Sequence, residues 1–177
     1  MKQTMKKILL ISILISLFIG VPEIRVQAQV SVTAQVFAEV ISAITATETS
    51  QLNFGRFSPE TAGGEVIVSP QGGRTTYGTV ILVAGIHNPA RFYITGEFNA
   101  TYSITLPAVP VTITNVNTSK TMHVTGWTSV PPAGKGVGVL DGGSQIVSIG
   151  ATLQVGNLND NPTGMYAGTY NISFDYN

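Results

Sequence analysis

The sequence predicts an all-β domain, an antiparallel β-sandwich, and three observations carry that expectation. Runs in which every second residue is apolar recur along the chain, separated by clusters rich in Gly, Pro, Asn and Asp. Charged residues make up only 10% of the chain while Thr, Val, Ile and Gly abound, a composition that suits pleated, half-buried strands. No stretch of ten or more residues beyond the N-terminal segment keeps a helical period. A closed barrel is the alternative way to bury such strands.

The first 28 residues read as a secretory signal peptide rather than as part of the fold. Lys2, Lys6 and Lys7 precede an apolar and hydroxyl run from Ile8 to Val21, and Val26 and Ala28 stand where a signal peptidase reads. That run is short of the roughly 20 residues a membrane span needs. The expected destination is the periplasm or the bacterial cell surface, with no membrane span in the mature chain. The chain has no cysteine, so neither a lipid-anchored signal nor a disulfide is available, and packing with strand pairing must supply stability.

Residues 29–37 read as an N-terminal extension or a first strand, and 38–177 as one β-sandwich domain, a length that suits a single core. In "QVSVTAQVF", Val30, Val32, Ala34 and Val36 alternate with Ser31, Thr33 and Gln35. "AEVISAITAT" extends the strand pattern to about Thr47. "LNFGRF" follows, then "GEVIVSPQGGRTTYGTVILVAG" as a hairpin around Pro70, Gln71, Gly72 and Gly73. "RFYITG", "TYSITLP", "VTITNV" and "KTMHVTGW" are the next strands. "TSVPPAGKGVGVLDGG" reads as a looser, glycine-rich connection, "SQIVSIGATLQVG" as a strand and "NLNDNPTG" as a loop. The last strand alternates through Tyr166, Gly168, Tyr170, Ile172, Phe174 and Tyr176 to the penultimate residue. About nine or ten strands result.

Catalytic, metal and nucleic-acid chemistry find little support. His87 lies in a turn-like stretch, and His123 lies on a strand facing away from Met122 and Val124. There is no G-x-S-x-G elbow, and two separated histidines without cysteine make a poor zinc set. "NLNDNPTG" carries Asn157, Asn159, Asp160 and Asn161, oxygen donors of the kind calcium takes. Pro162 stands where a calcium loop needs glycine, however, and no distal Glu follows, so a turn is the better reading. Beyond residue 28 there are five basic residues, Arg56, Arg74, Arg91, Lys120 and Lys135, against eight acidic ones, a net charge of −3 with no basic run. The expectation is a protein that is not an enzyme, takes no cofactor or metal and binds no nucleic acid. Trp127 is the only tryptophan and reads as a core residue rather than a ligand platform.

Four stretches together carry a resemblance: "LNFGRFSP" (52–59), "GGEVIVSPQGGRTTYG" (63–78), "FYITGEFNATYSITLP" (92–107) and "GMYAGTYNISFDYN" (164–177). Over roughly residues 36–177 the chain resembles the bacterial domain of unknown function family 4402, which has no assigned activity. That family looks similar to the spore coat protein U and fimbrial major-subunit families of chaperone–usher systems. The resemblance implies an immunoglobulin-like, pilin-like sandwich that is one strand short. Many such subunits end on an alternating strand with a penultimate aromatic and a glycine fourteen residues from the end, the places that Tyr176 and Gly164 hold here. Many also carry a disulfide, and this chain departs from them there.

The physical logic stands beside the resemblance. A terminal strand at a sheet edge is a template for another strand. The partner-binding residues expected there are Gly164, Tyr166, Gly168, Tyr170, Ile172, Phe174 and Tyr176. The candidate donor residues are Val30, Val32, Ala34 and Val36. Burying three valines and an alanine contributes about 5–8 kcal/mol, and ordering the segment opposes it. The expected partners are a second copy or a periplasmic chaperone, joined by strand addition. The expected function is an exported structural subunit of a surface fibre or coat. The alternative is a self-complete binding module for a glycan or protein, in which the alternation from Val30 continues into a first strand over Glu39–Thr47.

Overall fold

The computed structural model describes residues 27–177, together with Gln3, so the signal-peptide expectation falls almost entirely outside the described residues. Two units divide the chain, one up to Glu39 and one from Val40 to Asn177. In the first, residues 27–39 carry no strand, and every side chain is exposed. No helix among the described residues is long and apolar enough to cross a membrane.

The second unit is all-β and antiparallel. Its strands are β1 (Thr45–Ser50), β2 (Arg56–Val68), β3 (Arg74–Val83), β4 (Ala90–Thr95), β5 (Thr101–Thr105) and β6 (Val111–Asn115). Then come β7 (Thr121–Val130), β8 (Gly134–Val139), β9 (Ser144–Val155), β10 (Tyr166–Ala167) and β11 (Ser173–Tyr176). The larger sheet has the order β1-β4-β9-β7-β6-β10. β9 is its spine: it pairs β4 over Ser144–Ile149, β2 over Ala151–Val155, and β7 along its other edge. The β2–β3 hairpin turns at Pro70–Gly73, where the sequence put it. The smaller sheet has the order β11-β5-β8.

Burial follows the alternation. Along β9, Val147, Ile149, Ala151, Leu153 and Val155 are buried, with Ile146 and Gln154 exposed on the other face. One core cluster gathers Val66, Val80, Met122, Val124 and Leu153; the other gathers Ile94, Tyr102, Ile104, Leu140, Val147 and Ile149. Trp127 packs against both, as its core reading required. It is aimed inward by a break in the β7–β9 register between Thr125 and Thr128, a bulge that redirects the side chain.

Four expectations are corrected. The first strand begins at Thr45 rather than near Glu39, and residues 38–44 form no strand. The glycine-rich connection contains a strand, β8, whose glycines let it lie close to β5: a Cβ on Gly138 would enter the ring of Tyr102. The terminal strand is broken into β10 and β11, with residues 168–172 in no ladder, because the chain there leaves β6 of the larger sheet for β5 of the smaller one. The count is eleven strands rather than nine or ten, β8 and the short β10 making the difference.

Candidate functional site: an open strand position

An immunoglobulin sandwich orders its strands A-B-E-D in one sheet and C-F-G in the other. Here β1, β4, β9 and β7 stand in the A, B, E and D positions, and β5 and β11 in C and F, all in chain order. The β2–β3 hairpin is inserted between A and B. The G position lies beside the second edge of β11, and among the described residues no strand occupies it. β11 pairs only with β5, from Ser173↔Thr105 to Tyr176↔Tyr102.

Side-chain burial marks the same opening. On β1 the inward-facing residues are Ala46 and Glu48, which pair across β4 with the core residues Ile94 and Phe92. Both Ala46 and Glu48 are nonetheless exposed. On the last segment Tyr170, Ile172, Phe174 and Tyr176 point toward the core but are only half-buried, while Asn171, Ser173 and Asp175 are exposed. The alternation read from the sequence is therefore real, and its inner face is incompletely covered.

The two strand edges are tied together at one end. The Tyr176 hydroxyl donates to Ser42 O at 2.8 Å and accepts from Glu97 N at 2.6 Å, while Ser42 N donates to a Glu97 carboxylate oxygen at 2.8 Å. Toward the other end, the Glu48 carboxylate lies near enough to Tyr170 to disfavour its ionisation. Burial is the larger cause, and together they push the Tyr170 hydroxyl up to about 12. Ser42 beside Tyr176 and Glu48 beside Tyr170 set β1 antiparallel to residues 170–176, with a slot between. On β11 the Phe174 ring lies 5.8 Å from Phe92 and 6.2 Å from Tyr102.

Beyond Tyr170 the slot widens into a groove of about 1270 Å³ whose walls include Phe54, Phe57, Met122, Trp127, Leu153 and Tyr166. The Trp127 and Tyr170 rings pack with centroids 4.7 Å apart and planes tilted by 38°. The Trp127 indole N–H and the Tyr170 hydroxyl are both buried with no hydrogen-bond partner. Unpaired buried polar groups of this kind are rare and costly.

The remaining expected residues fall differently. Tyr166 opens β10 against Asn115 of β6, with its hydroxyl bonded to Pro162 O at 2.9 Å. Gly164 lies in the preceding bend rather than in a strand, packed on the buried Asn115. Gly168 lets the chain pass over β6, since a Cβ there would stand 2.7 Å from Thr112 O. These two glycines serve the path of the chain within its own domain. In the 157–164 loop, Asn157 Oδ1 accepts from the N–H groups of Asn159 and Asp160, and Asn161 is buried with its amide donating to Thr121 O at 2.8 Å. That loop is a side-chain-closed turn. His123 is exposed with its Nδ1 3.3 Å from the Thr112 hydroxyl, and His87 sits in the loop between β3 and β4. What the sequence did not disclose is the part played by β1, because Ala46 and Glu48 carry no apolar signal.

A family model matches residues 44–176, the whole of the sandwich, under the description domain of unknown function (DUF4402). The chain belongs to the DUF4402 family. No curated protein and no solved structure matches it. The DUF4402 match begins one residue before β1 and leaves residues 29–37 outside it, so the alternating arm precedes the family domain.

Proposed function

We propose that this chain is an exported, non-catalytic structural subunit of a bacterial surface fibre or coat that assembles by β-strand addition. The observation that carries the reading is the pairing of an open G position with a spare strand. The slot beside β11 lacks one strand among the described residues, and residues 29–37 are alternating, exposed and in no ladder. Val30, Val32 and Val36 are 83%, 82% and 91% exposed, a poor arrangement for a soluble chain unless something covers them. Strand addition satisfies both: main-chain hydrogen bonds complete the β11 edge, and alternate side chains fill the slot. A periplasmic chaperone holding the same edge during export fits the same chemistry.

The test is electrophoresis of the mature protein in denaturing detergent, with and without boiling. The expected result is a ladder of multiples that collapses to monomer only on heating. A single monomer band in both lanes, from protein shown to be folded, counts against the proposal and favours a self-complete binding module.

A further inference from the structure

On the other side of the domain from β11 in sheet order, we infer a second self-association surface. The free edge of β3 over Thr79–Val83 pairs antiparallel with the same segment of another copy, about a two-fold axis at Leu82. Its role, which rests on the structural-subunit reading, is to join fibres side by side.

β3 is the outer strand of the inserted hairpin and, among the described residues, pairs only with β2. Every second residue therefore turns its N–H and C=O away from the sheet, with no ladder to receive them. Edge strands are ordinarily blunted by charge, by proline or by a bulge. β8, the outer strand of the smaller sheet, carries Lys135 and three glycines. β3 has one such device, at Gly78. Its φ of +81° and the register shift opposite it on β2 kink the strand there. Beyond the kink, Thr79, Val80, Ile81, Leu82 and Val83 include no charge and no proline. Ile81 and Val83 stand on the outer face, 53% and 38% exposed, while Leu82 faces the core half-buried. Ala84 and Gly85 follow, with no bulk to hold a second strand away.

The occupant is a second copy because the run complements itself. Directly opposed residues in an antiparallel pair share a face. A two-fold at Leu82 sets Ile81 opposite Val83 of the second copy and Val83 opposite its Ile81. The two Leu82 side chains then meet on the inner face. Branched side chains of this kind pack well on a pleated surface. No like charges are brought together: Arg56, opposite Val83 on β2, stays at least about 14 Å from its counterpart, three strand spacings away. That exceeds the screening length of physiological salt. Selecting an unlike partner takes complementary charge or polar groups, and this run offers none.

The contact is short. Five residues span about 17 Å, and such an edge buries far less than the roughly 1,600 Å² of a stable interface. The pair is therefore weak between free subunits. It becomes firm where copies stand in a row, since each joined pair raises the effective concentration of the next.

The chain has no native cysteine, so single cysteines report the contact. Ile81→Cys and Val83→Cys are placed in separate full mature chains that also carry Val32→Asp, which removes strand addition. Under mild oxidation at high concentration, the two mixed chains are expected to give a reducible heterodimer. Its yield should exceed the homodimer from either chain alone by roughly tenfold, because like positions lie diagonally, about 7–8 Å apart. Equal yields from mixed and single chains, or no cross-link in any, overturn the edge pairing. In the chain with Val32 intact, Ile81→Lys is expected to turn bundled fibres into single ones under negative-stain electron microscopy. Bundles that persist in Ile81→Lys, or single fibres from the unmodified chain, overturn the lateral role. Absence of any fibre from the unmodified chain overturns the subunit reading and the lateral role with it, and the edge pairing stands or falls on the cross-link.

Discussion

Replacing Val32 by Asp should abolish assembly and leave the subunit folded. In the proposed assembly Val32 is buried on the inner face of the added strand, beside the Phe174 ring, which lies 5.8 Å from Phe92 and 6.2 Å from Tyr102. Losing the valine's burial removes about 2 kcal/mol. Placing a carboxylate against those rings with no cation beside it costs several kcal/mol more. A total of at least about 5 kcal/mol is more than a thousandfold in the association constant. The isolated subunit should not register the change, because Val32 is 82% exposed and belongs to no ladder. Light scattering coupled to size exclusion gives the multimer fraction against concentration, and thermal unfolding of the monomer gives the control. Thr33→Asp, whose side chain points the other way, should weaken assembly by less than tenfold. Equal loss from both variants, or unchanged multimers in Val32→Asp, would refute the facing on which the donor assignment rests.

Phe174→Ala should destabilise the subunit by about 2–3 kcal/mol, less than the 3–5 of a fully buried phenylalanine because one side of the ring is uncovered, as read by denaturant unfolding. Tyr176→Phe should cost about 1–2 kcal/mol through loss of its bonds to Ser42 and Glu97, with no change in secondary structure by circular dichroism. Burial raises the hydroxyls of Tyr102 and Tyr170 from 10.0 to about 12. Above pH 10 the unfolded chain releases protons that the folded one keeps, so stability is full below about pH 10 and falls as pH rises toward 12. Tyr102→Phe should make that fall shallower in alkaline unfolding curves. Deleting Phe174–Asn177 removes β11 and should abolish export of soluble protein, measured as yield in the periplasmic fraction.

The strands with strict alternation were legible because period two is itself the physical cause of a half-buried strand. β9 and the β2–β3 hairpin are the clearest cases: branched residues on the buried face and Pro-Gln-Gly-Gly at the turn fix both. β8 was hidden because Gly134, Gly136 and Gly138 offer no side chain to show a period. The place of Gly138 is set by the ring of Tyr102, which lies far away in sequence. The break at 168–172 was hidden for a related reason. The alternation of Tyr170 and Ile172 continues through it, since those side chains still face the core, while the backbone is changing sheets. The candidate site was half legible. The even-numbered residues of the arm and of β11 announce two complementary faces. The other wall, Ala46 and Glu48, and the groove that Trp127 lines appear only when the sheets are stacked.

In the proposed assembly residues 29–37 become a strand of another subunit. Amide hydrogen exchange of the full mature chain, followed at peptide level across a range of concentrations, tests it most directly. Residues 29–37 and 170–176 are expected to gain protection together as multimers form, and in the dilute monomer residues 29–37 are expected to exchange as unstructured chain. Protection of residues 29–37 that is independent of concentration, or exchange at the unstructured rate within isolated multimers, would contradict it.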